Sequence, residues 1–285
     1  MKNITKTVTD EFNGARIYDY LRRAVSLSVT LIKKVKFGGV FINGENVHMR
    51  ANVHTGDVVS VILPEAASEN IRPINFPLDI IYEDDYILAV NKPSGMPTHP
   101  SRGNSLPTLA EGVVAYFAPE PFVFRAVNRL DRDTGGIVII AKDVHTADKL
   151  SAEMKAGGFI KKYSALVTGV PTPEHAVIDA PIERESEGNI KRIVTPTGKR
   201  AVTEYQVSKI LGSGDSICEI TLHTGRTHQI RVHMAHIGHP LRHDFLYGVR
   251  TEGKIYRLHA KSIEFTHPFN NDRIKLISEV DFENE

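Results

Sequence analysis

The spacing of apolar residues changes character along the chain. ARIYDYLRRAV puts Ile17, Tyr20, Leu21 and Ala24 at helical intervals with arginines alongside, and LSVTLIKKVKFGG repeats the pattern until Gly38 and Gly39 stop it. VFINGENV then reads as two short strands around an Asn-Gly turn, and HTGDVVSVILP ends the stretch in alternating, strand-type sequence. These elements predict a small α+β module over residues 15–63. PEAASENIRPINFP, rich in Pro, Ser and Glu and without periodicity, follows as a linker over 64–76.

A larger domain is expected over residues 77–280. LDIIYEDDYILAVNKPSG predicts two strands about a Glu-Asp-Asp turn, running into the Pro- and Gly-rich loop NKPSGMPTHPSRG. LPTLAEGVVAYFA predicts a helix with Thr108 as its N-cap, IVIIAK a strand, and DVHTADKLSAEMKAGG a second helix. Beyond Phe159 a period of two dominates in KKYSALVTG, KRAVTEYQVSKI, DSICEITLH and YRLHAKSIEF, broken by one helical stretch, RTHQIRVHMAHIG. Strands joined by hairpins and long loops, with few helices, indicate an α+β class with a mixed, largely antiparallel sheet. SEVDFENE closes the chain as an acidic, frayed tail.

Charge adds little at first. In 285 residues, 35 Lys and Arg against 34 Asp and Glu leave +1, so net charge does not single out a nucleic-acid binder. The distribution is uneven, however: Met1–Leu63 holds nine Lys and Arg against five Asp and Glu, an excess suited to a polyanionic partner. Cys218 is the single cysteine, which excludes an internal disulfide and a Cys-based zinc site, and its place in SICEITLH makes it a small buried hydrophobe. No basic segment followed by an apolar one opens the chain, and no apolar run approaches the ~20 residues that span a bilayer. A cytoplasmic location is expected.

The chemistry concentrates in VNRLDRDTGGIVIIAK, where Asp131 and Asp133 alternate with Arg129 and Arg132 around a Thr-Gly-Gly turn. A solvated turn is the plain reading of such a stretch. Two acid-based patterns match it in part. An aspartyl phosphatase working through Mg²⁺ would use Asp131 and Asp133, but its nucleophile ends a buried apolar strand and opens a helix, whereas FRAVNRL precedes here and a strand follows. An aspartic protease would use Asp133-Thr134-Gly135, but Arg132 stands where an apolar residue belongs.

The longer context resembles the RluA-type pseudouridine synthases. NRLDRDTGGIVIIAK is similar to that family's central motif, VNKPSGMPTHP to the preceding loop, and KKYSALVTG to its Lys-x-Tyr-x-Ala strand. LHTGRTHQIRVHMAHIGHPLRHDFLYG, followed by RLHA and FTHPF, is similar to its C-terminal half. The four segments occur in order over about residues 75–270. Asn128 and Gly135 depart from the pattern, standing where His and Ser are usual. The N-terminal segments GGVFINGENV and GDVVSV resemble the S4-type RNA-binding domain over residues 15–63. A structural cap is the alternative for that module, and a non-catalytic RNA-binding or ribosome assembly factor is the alternative for the whole chain.

The resemblance implies isomerisation of uridine in ribosomal or transfer RNA, without a cofactor, by a pseudouridine synthase fold. A carboxylate could attack the sugar or the base, or remove a sugar proton, and Asp131 is the candidate. Arg226, in TGRTHQ, is the implied counter-charge. An extruded base costs a few kcal/mol to unstack, and an aromatic face returning ~1–3 kcal/mol is matched to that task. Tyr163 is the candidate stacking residue, Arg129 the residue that assists extrusion, and Leu258 the apolar floor; for Tyr163 and Leu258 ordinary core packing is the alternative. Arg22, Arg23, Lys33, Lys34 and Lys36 are the candidate phosphate contacts. His223, His228, His233, His236, His239 and His243 invite a metal reading, but none forms a zinc-helix pair, and phosphate contacts or packing fit better. No glycine loop has Walker or dinucleotide spacing, so no nucleotide cofactor is expected. A monomer suffices for an enzyme with so large a substrate.

Overall fold

A computed structural model describes residues 2–64, 71–101 and 105–282. The linker expected at 64–76 therefore falls partly outside the described residues, as does the end of the loop NKPSGMPTHPSRG. The N-terminal module contains β1 (Lys2–Thr7), α1 (Ile17–Arg23), α2 (Val29–Val35), β2 (Val40–Ile42), β3 (Glu45–Asn46) and β4 (Val58–Leu63). Its four strands pair in the order β1-β4-β2-β3. The sheet thus reaches back to Lys2, because β1 runs antiparallel to β4 from Lys2 opposite Leu63 to Thr7 opposite Val58. The periodicity starting at residue 15 gives no sign of that strand. Ile17, Tyr20 and Leu21 of α1 and Leu31, Ile32 and Val35 of α2 bury one face each against Val40, Val59 and Val61.

The larger domain continues with β5 (Ile80–Glu83), β6 (Ile87–Lys92), α3 (Leu109–Tyr116), β7 (Gly135–Ala141), α4 (Val144–Lys155) and β8 (Ile160–Val167). Then come β9 (His175–Asp179), β10 (Ile182–Arg184), β11 (Arg192–Val194), β12 (Val202–Ile210), β13 (Ser216–Leu222), α5 (Gln229–His236), β14 (Leu258–Thr266) and β15 (Arg273–Ile277). A nine-stranded sheet runs β5-β6-β7-β14-β8-β13-β12-β9, with β15 also on β14, and β10 and β11 form a separate hairpin. This is the mixed, largely antiparallel α+β architecture that the alternation predicts. Thr108 caps α3 in a reciprocal box with Glu111, whose carboxylate accepts the Thr108 N–H at 2.8 Å. Val144 of α4 packs against the core of the N-terminal module.

One pair decides where the site lies. Among the described residues only β7 and β14 run parallel, with Gly135 opposite His259 and Gly136 opposite Ala260. Parallel pairing brings the starts of both strands to the same edge, so the turn before β7 meets Leu258 at the head of β14. Gly136 has φ +105°, and a Cβ there would collide with the Ala260 backbone, so the second glycine of Thr-Gly-Gly permits this close approach. β7 is buried along its whole length, which explains its unbroken apolar sequence.

Cys218 is fully buried on β13, and burial pushes its thiol up to about 11. The C-terminal segment does not fray over its described part. Phe282 is buried against Leu166 and Ile217, and its apolar ring outweighs the acidic character of its neighbours.

Candidate active site

The turn bearing Asp131 is braced from the loop after β6. Lys92 is fully buried, and its Nζ donates to the carbonyls of Pro93 at 2.9 Å, Met96 at 2.7 Å and Arg132 at 3.0 Å. Burial lowers its pKa to about 8 against the opposing charges of Asp133 and Asp131. Ser94 Oγ donates to the Asp133 carbonyl at 2.5 Å and Thr98 Oγ1 to the Leu130 carbonyl at 2.9 Å. Lys92 at the end of β6 and two side chains of the loop after it therefore hold the backbone on both sides of Asp131.

The two acids of the turn separate cleanly. Asp133 is buried and takes the Arg132 guanidinium in a fork, Nε at 2.7 Å and Nη2 at 2.9 Å. Asp131 has a side chain 30% exposed; the Arg231 guanidinium stands nearest, with Nη1 at 3.5 Å, and the His228 imidazole Nε2 lies at 3.8 Å. Arg231 in turn gives its fork to buried Asp244, with Nε at 2.7 Å and Nη2 at 2.8 Å, and lies 4.3 Å from the Tyr256 ring centroid.

These groups line a cavity of about 600 Å³. Among the described residues lining it, Asp131 is the only acid, facing four arginines and Lys161. The chain's near-neutral total thus conceals a cavity lining with more positive than negative groups, two of which, Arg132 and Arg231, are matched by Asp133 and Asp244. Tyr163 on β8 and Leu258 at the head of β14 are buried in the same wall, one strand apart, with Leu258 paired to Ala165. Burial, reinforced by the Asp131 charge, pushes the Tyr163 hydroxyl far above its ordinary pKa. Arg129 is exposed beside the cavity.

Geometrically, the site holds one carboxylate, a buried tyrosine and a buried leucine, with five Lys and Arg side chains in the same lining. The comparisons now decide its class. The family model described as RNA pseudouridylate synthase matches residues 86–236. The chain is 37% identical over 257 residues to an uncharacterized RNA pseudouridine synthase of Bacillus subtilis, YjbO, covering 88% of this chain and 90% of that one. The chain belongs to the RNA pseudouridylate synthase family. Ribosomal large subunit pseudouridine synthase D of Pasteurella multocida is 34% identical, with 82% of this chain and 77% of that protein covered. The solved structure of human RNA pseudouridylate synthase domain containing 1 matches at a TM-score of 0.60 and 26% identity, over 72% of this chain and 84% of its own.

In this pseudouridine synthase the cavity gathers Asp131, Tyr163, Leu258, Arg129 and Arg226, but the pairing expected for Arg226 is corrected. Its Nε donates to the Arg200 carbonyl at 3.0 Å, and the side chain is exposed. Arg226 belongs to the turn before α5, whereas Arg231 sits on the buried face of the helix and reaches the acid. The QIR segment holds that signal: an arginine between apolar Ile230 and Val232 at a buried helix position needs a buried partner. Asn128 and Gly135, the two departures from the family pattern, have local structural roles. Asn128 Nδ2 donates to the Ile137 carbonyl at 2.9 Å and its Oδ1 accepts the Ile139 N–H at 2.8 Å, pinning the turn to β7. A Cβ on Gly135 would stand 2.9 Å from Nδ1 of His259, whose Nε2 is already bonded to Ser278.

The histidines disperse. His223 pairs with Glu204, His233 lies between Thr203 and the Ala180 carbonyl, and His239 meets the Thr168 carbonyl. Among the described residues no group of three His, Cys, Asp or Glu is arranged to hold a metal. On the N-terminal module Lys33, Lys34 and Lys36 are exposed. Arg22 donates to the Leu27 carbonyl at 2.6 Å, and Arg23 lies 3.5 Å from Glu11.

Proposed function

We propose that the chain isomerises uridines in structured RNA, ribosomal RNA foremost, with Asp131 as the catalytic carboxylate. The observation that carries this reading is the isolation of Asp131: one incompletely neutralised carboxylate on a cavity wall whose other charged groups are cations, with a buried tyrosine in the same lining. The reaction breaks the C1′–N1 bond, turns the uracil and joins C1′ to C5, after which C5 loses a proton and N1 gains one. Asp131 would act on the sugar or the base at the first step. Arg231 holds its carboxylate in one orientation, Tyr163 offers a face to the uracil, and Leu258 closes the pocket beneath it. Arg129 would occupy the gap left by the extruded nucleotide or hold its phosphate.

Ribosomal RNA is favoured by relatives named for the large ribosomal subunit. The N-terminal module would serve as an S4-like RNA-binding domain, with Lys33, Lys34 and Lys36 on phosphates and the two arginines of α1 in support. A monomeric, cytoplasmic enzyme is part of the same proposal; among the described residues no helix is long and apolar enough to cross a membrane. The test compares pseudouridine formation in RNA by wild type and by Asp131→Asn. Loss of conversion with RNA binding retained is expected, and equal conversion would remove Asp131 from the chemistry. Tyr163→Phe, which keeps the ring, should retain RNA binding, whereas Tyr163→Ala should lose turnover.

A further inference from the structure

His228 is the one irregular residue of the cavity wall. It has φ 57° and ψ 19°, a left-handed conformation uncommon outside glycine and better tolerated by His and Asn than by most residues. It stands at the N-cap of α5, yet its side chain makes no capping hydrogen bond, so the helix does not need the imidazole.

The ring is held from one end and open at the other. Nδ1 lies 2.8 Å from the Tyr247 hydroxyl, and that oxygen already accepts the Arg192 N–H at 2.8 Å. Among the described residues Nδ1 is the only acceptor bonded to this hydroxyl, so the phenolic proton lies on the Tyr247–Nδ1 line. The neutral ring then carries its own proton on Nε2. Burial lowers the imidazole pKa, with Asp131 pulling the other way, and this favours the neutral form. Nε2 faces Asp131 at 3.8 Å, beyond hydrogen-bond range, with Arg231 Nη1 3.5 Å from the same oxygen. Two N–H groups therefore converge beside the carboxylate without being fully engaged by it, and both line the cavity.

We propose that His228 is a further catalytic residue, donating its Nε2–H to a carbonyl oxygen of the uracil as the base detaches, and that Tyr247 is the positioning residue that fixes the donor tautomer. The inference rests on the reading of Asp131 given above. Heterolysis of C1′–N1 leaves the bonding pair on the base, spread over N1 and the two carbonyl oxygens. Beside an ionised aspartate that charge needs N–H donors aimed at it in advance. The pair then forms the C1′–C5 bond, C5 gives up its proton, and N1 takes one. The base ends uncharged, and His228 neither gains nor loses a proton over the cycle.

The test is single-turnover conversion and RNA affinity for His228→Asn, Tyr247→Phe and the double variant. Asparagine keeps the left-handed backbone but is too short to reach. His228→Asn should slow conversion by about 10²-fold, the usual effect of losing one such donor, with RNA affinity unchanged. Tyr247→Phe should give a smaller loss, and the double variant should be no slower than His228→Asn alone. RNA carrying 2-thio- or 4-thiouridine at the target, whose sulfur accepts hydrogen bonds poorly, should slow the wild type at one of the two positions and His228→Asn at neither. Multiplying losses in the double variant, or a thio effect that survives His228→Asn, would overturn the proposal. If His228→Asn does not fold, a wild-type rate for Tyr247→Phe overturns it equally. Conversion by Asp131→Asn would instead sink the underlying reading, so the two failures are distinguishable.

Discussion

Replacing Arg231 should damage this enzyme far more than replacing Arg226. The Arg231 side chain is 4% exposed and its partner Asp244 is fully buried. Truncation to alanine leaves that carboxylate without its fork, and breaking a buried pair from one side typically costs about 3–5 kcal/mol. At roughly 2–4 °C per kcal/mol for a chain of this size, the melting temperature should fall by about 10 °C. The same change removes the nearest cation from Asp131. At 3.5 Å the bare attraction is about 5 kcal/mol for an effective dielectric constant near 20, before desolvation offsets part of it. Turnover should therefore collapse even in the fraction that remains folded. Arg226 is exposed and contributes one side-chain hydrogen bond to a carbonyl, so Arg226→Ala should stay within about 1 kcal/mol of wild type. Arg231→Lys separates the two effects. A lysine carries the charge as a point and cannot serve Asp244 and Asp131 together, so turnover should drop more than stability. The assays are thermal melting and single-turnover pseudouridine formation. An inactive Arg226→Ala alongside an active, normally melting Arg231→Ala would refute the assignment.

Acid should destabilise the fold early. His99, His145, His228, His233 and His259 all have pKa values lowered from 6.5, with burial the first cause in each. Below that value the unfolded chain takes up protons that the folded chain resists, so stability falls with pH, and a denaturation midpoint that rises between about pH 7.5 and 5.5 would contradict this. Gly136→Ala forces a Cβ into the Ala260 backbone at φ +105° and should destabilise by about 3 kcal/mol or more, or prevent folding, as read from the melting temperature. Replacing Lys33, Lys34 and Lys36 together should lower the slope of log affinity for RNA against log salt by about 2–3 while leaving conversion at saturating RNA intact; an unchanged slope would detach α2 from RNA binding.

The fold was legible wherever burial imposed a period. The helical faces of α1 and α2, the capped start of α3 and the alternating strands from β8 onward all follow from local pattern. β1 was not, because KNITKT is polar and acquires its role only by pairing with β4 across the module. The parallel contact of β7 with β14 links residues far apart in sequence, and only the second glycine of Thr-Gly-Gly hints at it. At the site, resemblance located the wall residues Asp131, Tyr163, Leu258 and Arg129. The guanidinium nearest Asp131 is not legible locally, because TGRTHQIR offers two arginines five residues apart. Which of them turns inward depends on where α5 begins, and a left-handed residue at His228 sets that start.

The three carboxylates at the cavity are held differently, and on the proposed reading that difference assigns the chemistry to Asp131 and not to its neighbour in the motif. Asp133 and Asp244 each receive a guanidinium fork, at 2.7 and 2.9 Å in one case and 2.7 and 2.8 Å in the other. A carboxylate so held is committed, with its lone pairs occupied and its charge matched. Asp131 receives no fork: the remaining nitrogen of Arg231 stands 3.5 Å away and His228 Nε2 3.8 Å away. Were Asp244 absent, the fork would be free to close on Asp131, and the oriented acid would become another neutralised pair. The alternation of acids and arginines in RLDRD thus does not form one network. Arg132 turns back to Asp133, a distant helix supplies the cation for Asp131, and a third aspartate keeps that cation from binding it fully. That division leaves one carboxylate in the cavity anchored but not fully neutralised, which is what the proposed role asks of it.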